Sequence, residues 1–259
     1  MVKLYYRDEN VTLLQGDCLE VMPMLTERID AVITDVPYGI TRNAWDAVIP
    51  MDKMWDAIHT VCSATTPVVL FGAEPFASKL RLSNPKEYRY DWYWAKTTPT
   101  GFLNSKRQPL RNVECISVFY KKQCMYNPQM RKGFKPYKHV RTKGGGTTCY
   151  APEKGCTTIS NGERYPIQVI TSSAHVEGRY HPTQKPTAVL EYLIRTYTNE
   201  GDTVLDFTCG SGSIFIAGLN LGRKVIGIEL DEKWCEVSKQ RIEQWYSQKR
   251  EASDEHPNT

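Results

Sequence analysis

The sequence lacks the features that mark three common classes of protein. No apolar run approaches the roughly 20 residues that a membrane-spanning helix needs, so we expect no membrane contact. Residues 1–8 contain no apolar signal-peptide core, which argues against secretion. The eight cysteines are scattered and form no CxxC pair. We therefore expect free thiols in the cytoplasm, and neither zinc nor any other metal site.

Length and composition fit a soluble globular protein. The 259 residues suit one large domain, or one domain that carries a sizeable insertion. A hydrophobic content of 41% and a charged content of 24% are ordinary values and place the chain in that class.

Charge is distributed unevenly along the chain. Residues 79–145 hold 16 Lys and Arg against 3 Asp and Glu, a local balance of +13. The balance is −6 over residues 1–78 and −3 over residues 146–259. A basic middle between two mildly acidic ends is the pattern expected of a protein that contacts a polyanion. The alternative is a solvated basic surface with no partner.

A polar turn follows the apolar run 30–33 and is the most informative segment of the chain. The order is Thr34, Asp35, Val36, Pro37, Tyr38. Ligands of open α/β sheets bind at the carboxyl ends of strands. A carboxylate beside a free carbonyl accepts hydrogen bonds from an amino group, and a tyrosine ring offers a stacking face, which suits a flipped nucleobase. The alternative is an ordinary strand exit in which Asp and Pro form the turn.

A second site is indicated by the segment 203–230. Gly210 and Gly212 follow an apolar strand that ends near Asp206, and Glu229 ends the next strand. An acid at that position binds ribose hydroxyls in dinucleotide-binding folds. The phosphate-binding glycine pattern is incomplete, since Phe215 stands where its third glycine would be. An acidic loop suits ribose with a cationic tail, as in S-adenosylmethionine, although Asp206 and Glu229 would also serve as strand-end caps.

Periodicity predicts an alternation of strands and helices with a long irregular stretch between two halves. The predicted strands are 11–15, 30–34, 66–72, 89–95, 113–120, 203–207 and 224–230, and the predicted helices are 19–25, 50–61, 75–82, 185–195, 214–221 and 231–246. Residues 121–180 show little regular pattern, and 143–148 reads as a loop. A stretch of this length belongs to function or to a small subdomain. We interpret it as a recognition insertion with its basic character at 121–143.

Four motifs together resemble one family. They are Gly16-Asp17-Cys18-Leu19, Thr34-Asp35-Val36-Pro37-Tyr38-Gly39, His181-Pro182-Thr183-Gln184-Lys185-Pro186 and Asp206-Phe207-Thr208-Cys209-Gly210-Ser211-Gly212. In this order, the chain resembles the β-class S-adenosylmethionine-dependent DNA amino-methyltransferases of phage or restriction–modification type, which modify adenine N6 or cytosine N4. The resemblance implies a circularly permuted, Rossmann-like, doubly wound α/β fold with an inserted target-recognition region. The implied divisions are 1–96 (catalytic half), 97–180 (insertion), 181–247 (cofactor half) and 248–259 (polar tail).

Two positions depart from the family pattern. Val36 replaces the first proline of the Asp-Pro-Pro-Tyr motif, and Phe207-Thr208 replaces the usual Pro-Phe after the cofactor-loop aspartate. The first position acts through its backbone carbonyl, which valine retains. The second changes packing around the cofactor more than polar contacts.

The resemblance assigns roles by position. Asp35 and the Val36 carbonyl would hold the target amine, with Pro37 in the same motif and Tyr38 stacked on the extruded base. The cofactor would contact Asp206, Gly210, Gly212 and Glu229, with its adenine near Asp17 and Cys18 and its carboxylate near Lys185. Phe71 is a weaker candidate for the base pocket, and His181 is interpreted as a structural turn residue. The expected DNA-binding residues are Lys106, Arg107, Arg111, Lys121, Lys122, Arg131 and Lys132.

The resemblance also implies partners and leaves alternatives open. It implies double-stranded DNA as the substrate, S-adenosylmethionine as the cofactor, a homodimer as one assembly, and a cytoplasmic, bacterial or phage-encoded enzyme. Asp35 favours adenine, because Ser often takes that position in the cytosine-N4 enzymes. Cytosine-C5 chemistry is disfavoured, since no Pro-Cys pair occurs. RNA, a nicotinamide-dependent dehydrogenase and an inactive DNA-binding module are the remaining alternatives.

Overall fold

A computed structural model describes residues 2–39, 46–141, 155–173, 180 and 184–254. His181 and the predicted loop 143–148 lie outside these ranges. The chain divides into two compact units, one formed by residues 1–127 with 168–259 and the other by residues 128–167. The larger unit contains a nine-stranded sheet with helices, and the smaller unit contains a two-stranded sheet.

The nine-stranded sheet has the spatial order β1-β2-β11-β10-β3-β4-β6-β5-β9. Its strands are β1 (Lys3–Arg7), β2 (Val11–Gln15), β3 (Ala31–Thr34), β4 (Val68–Gly72), β5 (Tyr88–Thr100), β6 (Arg111–Phe119), β9 (Val169–Ser172), β10 (Thr203–Asp206) and β11 (Lys224–Glu229). The smaller sheet pairs β7 (Tyr137–Arg141) with β8 (Cys156–Ser160). The helices are α1 (Cys18–Val21), α2 (Met51–Val61), α3 (Phe76–Ser83), α4 (Thr187–Tyr197), α5 (Ser213–Asn220) and α6 (Glu232–Asp254), with 3-10 turns at Met22–Met24 and Phe102–Asn104.

Five central strands, β2, β11, β10, β3 and β4, run parallel. Every residue of β3 and β4 is buried, as expected for strands that are covered on both faces. From β3 the chain proceeds to β4 on one side, whereas β10 pairs with β3 on the other side and leads to β11. The strand order therefore reverses between β3 and β10, and such a switch point is where open α/β sheets bind ligands.

Helices cover both faces of the sheet. Alternate strand residues separate into two cores: Ile33 and Val204 face the core that α4, α5 and α6 cover, whereas Val32 and Leu205 face the core that α1, α2 and α3 cover. This layering is that of a doubly wound sheet. It confirms the predicted Rossmann-like α/β class.

The elements differ from the sequence prediction at several places. The strand β1 was not predicted; it lies at the edge of the sheet, where none of its residues is buried and its sequence KLYYR shows no apolar alternation. The predicted helix 19–25 is one turn of α-helix followed by a 3-10 turn with Pro23 at its start, since proline supplies no amide to an α-helical ladder. The helix α6 continues to Asp254, through most of the segment predicted as a polar tail.

The predicted insertion 97–180 is wider than the smaller unit. Strands β6 and β9 belong to the main sheet, where β6 pairs with both β4 and β5, and β9 pairs with β5. The smaller unit is held by the β7–β8 hairpin and a bridge between Arg131 and Arg164. The guanidinium groups of these two arginines each lie 5.2 Å from the Phe134 ring centre.

Two kinds of feature are absent from the described part of the chain. Among its residues, no helix is both long enough and apolar enough to cross a membrane. The same residues also contain no cluster of three or more His, Cys, Asp or Glu side chains that could bind a metal ion.

Candidate active site

A cavity of about 690 Å³ opens at the carboxyl ends of β3, β10 and β11. Its wall combines residues of all four sequence motifs with residues from the β5–β6 hairpin. The residues that contribute polar groups include Asp17, Asp35, Asp46, Lys96, Thr100, Arg111, Glu114, Gln184, Lys185, Asp206, Ser211, Ser213, Glu229 and Asp231. The predicted catalytic residues and all the predicted cofactor-binding residues except Gly212 therefore line one continuous cavity at the switch point.

The turn after β3 is shaped by Asp46. Its Oδ1 atom accepts hydrogen bonds from the backbone amides of Tyr38 (2.8 Å) and Gly39 (2.9 Å). Gly39 adopts a φ of +69°, in the left-handed region that glycine tolerates best. The side chain of Asp46 thus fixes the direction in which the chain leaves the catalytic motif, and sequence reasoning did not identify it.

Asp35 is the acceptor of two strong donors. The Tyr38 hydroxyl donates to its Oδ1 atom at 2.5 Å, and Lys185 Nζ donates to its Oδ2 atom at 2.5 Å. Burial, followed by the nearby Asp35 charge, raises the pKa of Tyr38 well above its usual range, so the phenol keeps its proton and remains a donor. Asp35 is therefore held in one orientation at the cavity edge.

Lys185 links Asp35 to a second carboxylate. Its Nζ atom lies 3.4 Å from Glu114 Oε2, and Glu114 also pairs with Lys96. Burial alone would lower the pKa of Lys185, but Asp35 and Glu114 outweigh it and raise that pKa. Likewise, burial would raise the pKa of Glu114, but Lys185 and Lys96 outweigh it and lower that pKa. The four groups form a charge-balanced network, of which sequence reasoning found only Asp35 and Lys185.

Tyr38 is packed on an aromatic neighbour. Its ring stacks on Phe76 of α3, with centroids 5.2 Å apart and an interplanar angle of 29°. A base that stacks on Tyr38 must therefore use the opposite ring face. Phe71 is fully buried beneath the site, with Lys185 Nζ 5.2 Å from its ring centre. Phe71 thus supports Lys185 from the core and is not among the residues that line the cavity.

Hydroxyl groups join the two halves of the site. Thr34 Oγ1 donates to Asp206 Oδ1 at 2.5 Å and lies 2.7 Å from Thr208 Oγ1. Thr208 Oγ1 in turn donates to the Asp35 carbonyl at 3.2 Å. Thr208 occupies one of the positions that depart from the family pattern, so this departure supplies a polar contact as well as a change in packing.

The predicted cofactor loop is organised around Glu229. Its two carboxylate oxygens accept the amides of Gly210 (2.9 Å) and Asp231 (2.8 Å), and burial raises its pKa. Gly210 and Gly212 both have positive φ, of +53° and +76°. A Cβ on Gly212 would lie 2.6 Å from Ser238 Oγ, so this glycine is required by space as well as by conformation.

The remaining cofactor candidates lie on the same wall. Asp17 caps α1 by accepting the Leu19 amide at 2.9 Å, and Cys18 is buried beside it. Burial, with a smaller effect of Asp17, raises the pKa of the Cys18 thiol to about 12, so this thiol is neutral. Asp206 is buried with only hydroxyl and amide donors described, and burial raises its pKa to about 7.

The predicted DNA-binding residues occupy different settings. Lys106 and Arg107 are exposed in the turn between β5 and β6, and Arg111 lines the cavity. Lys121 and Lys122 are exposed just after the end of β6. In the smaller unit, Lys132 is exposed, whereas Arg131 is half-buried and donates from Nε to the Tyr165 carbonyl at 3.0 Å. Arg131 therefore has a structural role within its own unit.

Comparisons with known proteins agree on one family. A family model described as DNA methylase matches residues 29–240. The type II methyltransferase M2.DpnII of Streptococcus pneumoniae is 41% identical, over 94% of this chain and 93% of its own. The cytosine-N4-specific PvuII DNA methyltransferase structure has a TM-score of 0.69 at 16% identity, over 93% of this chain and 89% of its own. The structure of the M1.HpyAVI–SAM complex has a TM-score of 0.60 at 22% identity, and the match covers 89% of this chain and 99% of that one. Both structures share the fold of this chain.

We predict that Lys185→Met destabilises the protein by about 3 kcal/mol, because it leaves Asp35 and Glu114 without their shared cation. Urea unfolding measures this difference, and adding Asp35→Asn to Lys185→Met should recover part of it. Lys239→Met, at a surface i,i+4 pair, serves as the control with an expected loss below about 0.5 kcal/mol. Equal losses in the two single variants would contradict the proposed network.

We predict a pH dependence of stability that comes from Asp206. Its folded pKa of about 7 lies above the ordinary value of 3.8, so between these values the folded state holds a proton that the unfolded chain has released. The free energy of unfolding should therefore decrease as pH rises from about 4 to about 7 and level off above. Asp206→Asn should flatten this decrease in urea unfolding at a series of pH values, whereas Asp56→Asn on α2 should not. A slope unchanged by Asp206→Asn would disprove the assignment.

Proposed function

The chain belongs to the DNA methylase family of N6- and N4-amino-methyltransferases, and from this premise we propose that it methylates the exocyclic N6 amine of adenine in duplex DNA with S-adenosylmethionine as the methyl donor. The observation that carries the proposal is the single cavity that unites the catalytic turn with the acidic glycine loop. An acceptor for an amine and a pocket for a cation thereby open into the same space.

The residues of the acidic loop fit the cofactor. Asp206 is a buried carboxyl group with a raised pKa, and a ligand ammonium would supply the positive charge that it lacks. Glu229 is held by two backbone amides and would accept ribose hydroxyls, and the positive φ of Gly210 and Gly212 would let the backbone approach the cofactor closely. When bound, S-adenosylmethionine would supply the electrophilic methyl group. Asp17 and Cys18 would then border its adenine.

Asp35 is the group that would receive the target amine. Each carboxylate oxygen has two lone pairs, so Asp35 can accept an amine hydrogen beside Tyr38 and Lys185. Lys185 keeps Asp35 in place, and Asp35 would stabilise the positive charge that develops on the amine nitrogen as the methyl transfers. The Val36 carbonyl would accept the second amine hydrogen, and the Tyr38 ring would stack on the base. Positioning of nitrogen against the methyl supplies much of the rate gain.

Adenine is the proposed base because the catalytic motif carries Asp35, where serine often stands in the cytosine-N4 enzymes that this chain resembles. Cytosine N4 is the second candidate, since the PvuII enzyme with the same fold is cytosine-N4-specific. Both targets present an amine on a flipped base, and the same site geometry serves either one. Nucleoside mass spectrometry of methylated plasmid distinguishes N6-methyladenine from N4-methylcytosine.

Duplex DNA is the proposed partner because Arg111 lines the cavity and Lys106 and Arg107 are exposed in the adjoining β5–β6 turn, where cations suit phosphate groups beside an extruded base. Lys121, Lys122 and Lys132 extend the set of exposed cations. A homodimer remains part of this proposal as an expectation from the family resemblance.

We expect Asp35→Ala to lower methyl transfer to duplex DNA by at least about 100-fold, because the amine then has no acceptor that stabilises its developing charge. Tritiated methyl transfer measures the rate, and calorimetry measures S-adenosylmethionine binding, which should change little. Asp56→Ala, an exposed carboxylate on α2, is the matched control. Full activity in Asp35→Ala would rule out the proposed role, and N4-methylcytosine as the product would assign the second candidate base.

Replacing Lys106 and Arg107 together by Gln should weaken DNA binding and reduce the slope of log K against log salt concentration by about 2, because each of the two cations is expected to neutralise one phosphate. Fluorescence anisotropy with a labelled duplex at several salt concentrations gives this slope. The control replaces Lys53 and Lys249, exposed on α2 and α6, by Gln and should leave the slope unchanged. An unaltered slope in the first variant would locate the phosphate-binding surface elsewhere.

A further inference from the structure

The turn between β5 and β6 presents two large apolar side chains to solvent. Phe102 is 64% exposed and Leu103 is fully exposed. They are adjacent in the 3-10 turn Phe102–Asn104, which follows Gly101 at a φ of +93°. Single exposed apolar residues are common on protein surfaces, but two adjacent ones at the tip of a hairpin form a small exposed apolar patch.

Backbone hydrogen bonds hold this turn in shape. The amides of Asn104 and Ser105 donate to the carbonyls of Gly101 (3.0 Å) and Phe102 (3.1 Å). The amide of Arg107 then donates to the Asn104 carbonyl at 2.9 Å. Because these groups are satisfied within the turn, Phe102 and Leu103 are displayed by an ordered backbone.

The hairpin that carries the tip also forms a wall of the active-site cavity. Thr100 pairs with Arg111 at the base of the turn, and both residues line the cavity. Further along the strands, Lys96 and Glu114 join the network around Asp35. The apolar tip is therefore carried by the same hairpin whose base lines the cavity in which the target base is proposed to react.

We propose that Phe102 and Leu103 form an apolar wedge that enters the DNA stack beside the target base. This inference rests on the proposed function. A base that leaves the duplex leaves a gap in the stack, and apolar side chains of other DNA-bending proteins insert between base steps. The wedge would fill the gap while Lys106 and Arg107 hold the flanking phosphates and the base occupies the cavity.

The charges around the tip favour DNA over a second copy of the chain. In a two-fold interface the same patch faces itself, so Lys106 and Arg107 would lie opposite their own copies. Like charges placed together oppose association, whereas a polyanion is attracted to them. The described residues of the turn carry no carboxylate to offset this charge.

The test compares paired and unpaired targets. The Phe102→Ala/Leu103→Ala variant would be assayed on a duplex that carries the recognition sequence, first mapped by methylation sequencing of plasmid DNA. A second duplex is identical except for an abasic site opposite the target base, which makes extrusion easier. Single-turnover methylation should fall at least about tenfold on the paired duplex and less than about threefold on the abasic one. Leu82→Ala, at a 77% exposed leucine on α3, is the control.

Two further measurements separate the outcomes. Fluorescence of 2-aminopurine at the target position should rise with the unaltered protein and rise less with the variant, and light scattering should show the same oligomeric state for both. Three results would overturn the proposed wedge. They are an equal loss of methylation rate on the two duplexes, an unchanged rate on the paired duplex, and dissociation of a dimer caused by the variant. If the unaltered protein methylates no DNA, the proposed function fails and the wedge with it, which differs from a defect confined to the variant.

Discussion

The pairing of β3 with β10 is the interaction on which the site depends. It joins residues 31–32 to residues 204–205, and so brings the end of the catalytic strand beside the end of the cofactor strand. Beyond the ladder, the Thr34 hydroxyl bonds to Asp206 across a sequence separation of 172 residues. Thr208 completes the link by donating to the Asp35 carbonyl. Without this pairing, the two acidic motifs would share neither a cavity nor a fixed distance.

Charge balance then divides the cavity into two functional regions. Near Asp35, two lysines pair with two carboxylates, so positive and negative groups are matched in number. Near Asp206, a buried carboxyl group has hydroxyl and amide partners, and its pKa rises to about 7. Burial penalises a charge that lacks an opposite partner. The first region would therefore suit the proposed neutral amine, and the second region would suit the proposed cationic ligand.

The long β5–β6 hairpin connects chemistry with recognition. Its strands supply Lys96 and Glu114 to the charged network, and its turn displays cations beside two exposed apolar side chains. Since a single pair of strands carries both, the position of this hairpin relative to the sheet would set the proposed base pocket and the proposed DNA-facing edge together. The smaller unit at 128–167 has its own stabilising contacts, in which two arginines pack on Phe134.

Local patterns in the sequence determined most of the elements and the two acidic motifs, because apolar periodicity and turn chemistry act over a few neighbouring residues. They placed Asp206 and Glu229 at strand ends, and Asp35 and Tyr38 in the turn after a strand, where the structure has them. The family resemblance assigned Lys185 to the cofactor. The tertiary structure adds its pairing with Asp35, 150 residues away. Glu114 and Asp46 were not identified from the sequence, and Thr34 was named in a motif without a role, because their partners lie far away along the chain or in another segment. A contact between distant segments depends on how the whole chain packs, and it leaves no trace in the local pattern around either residue.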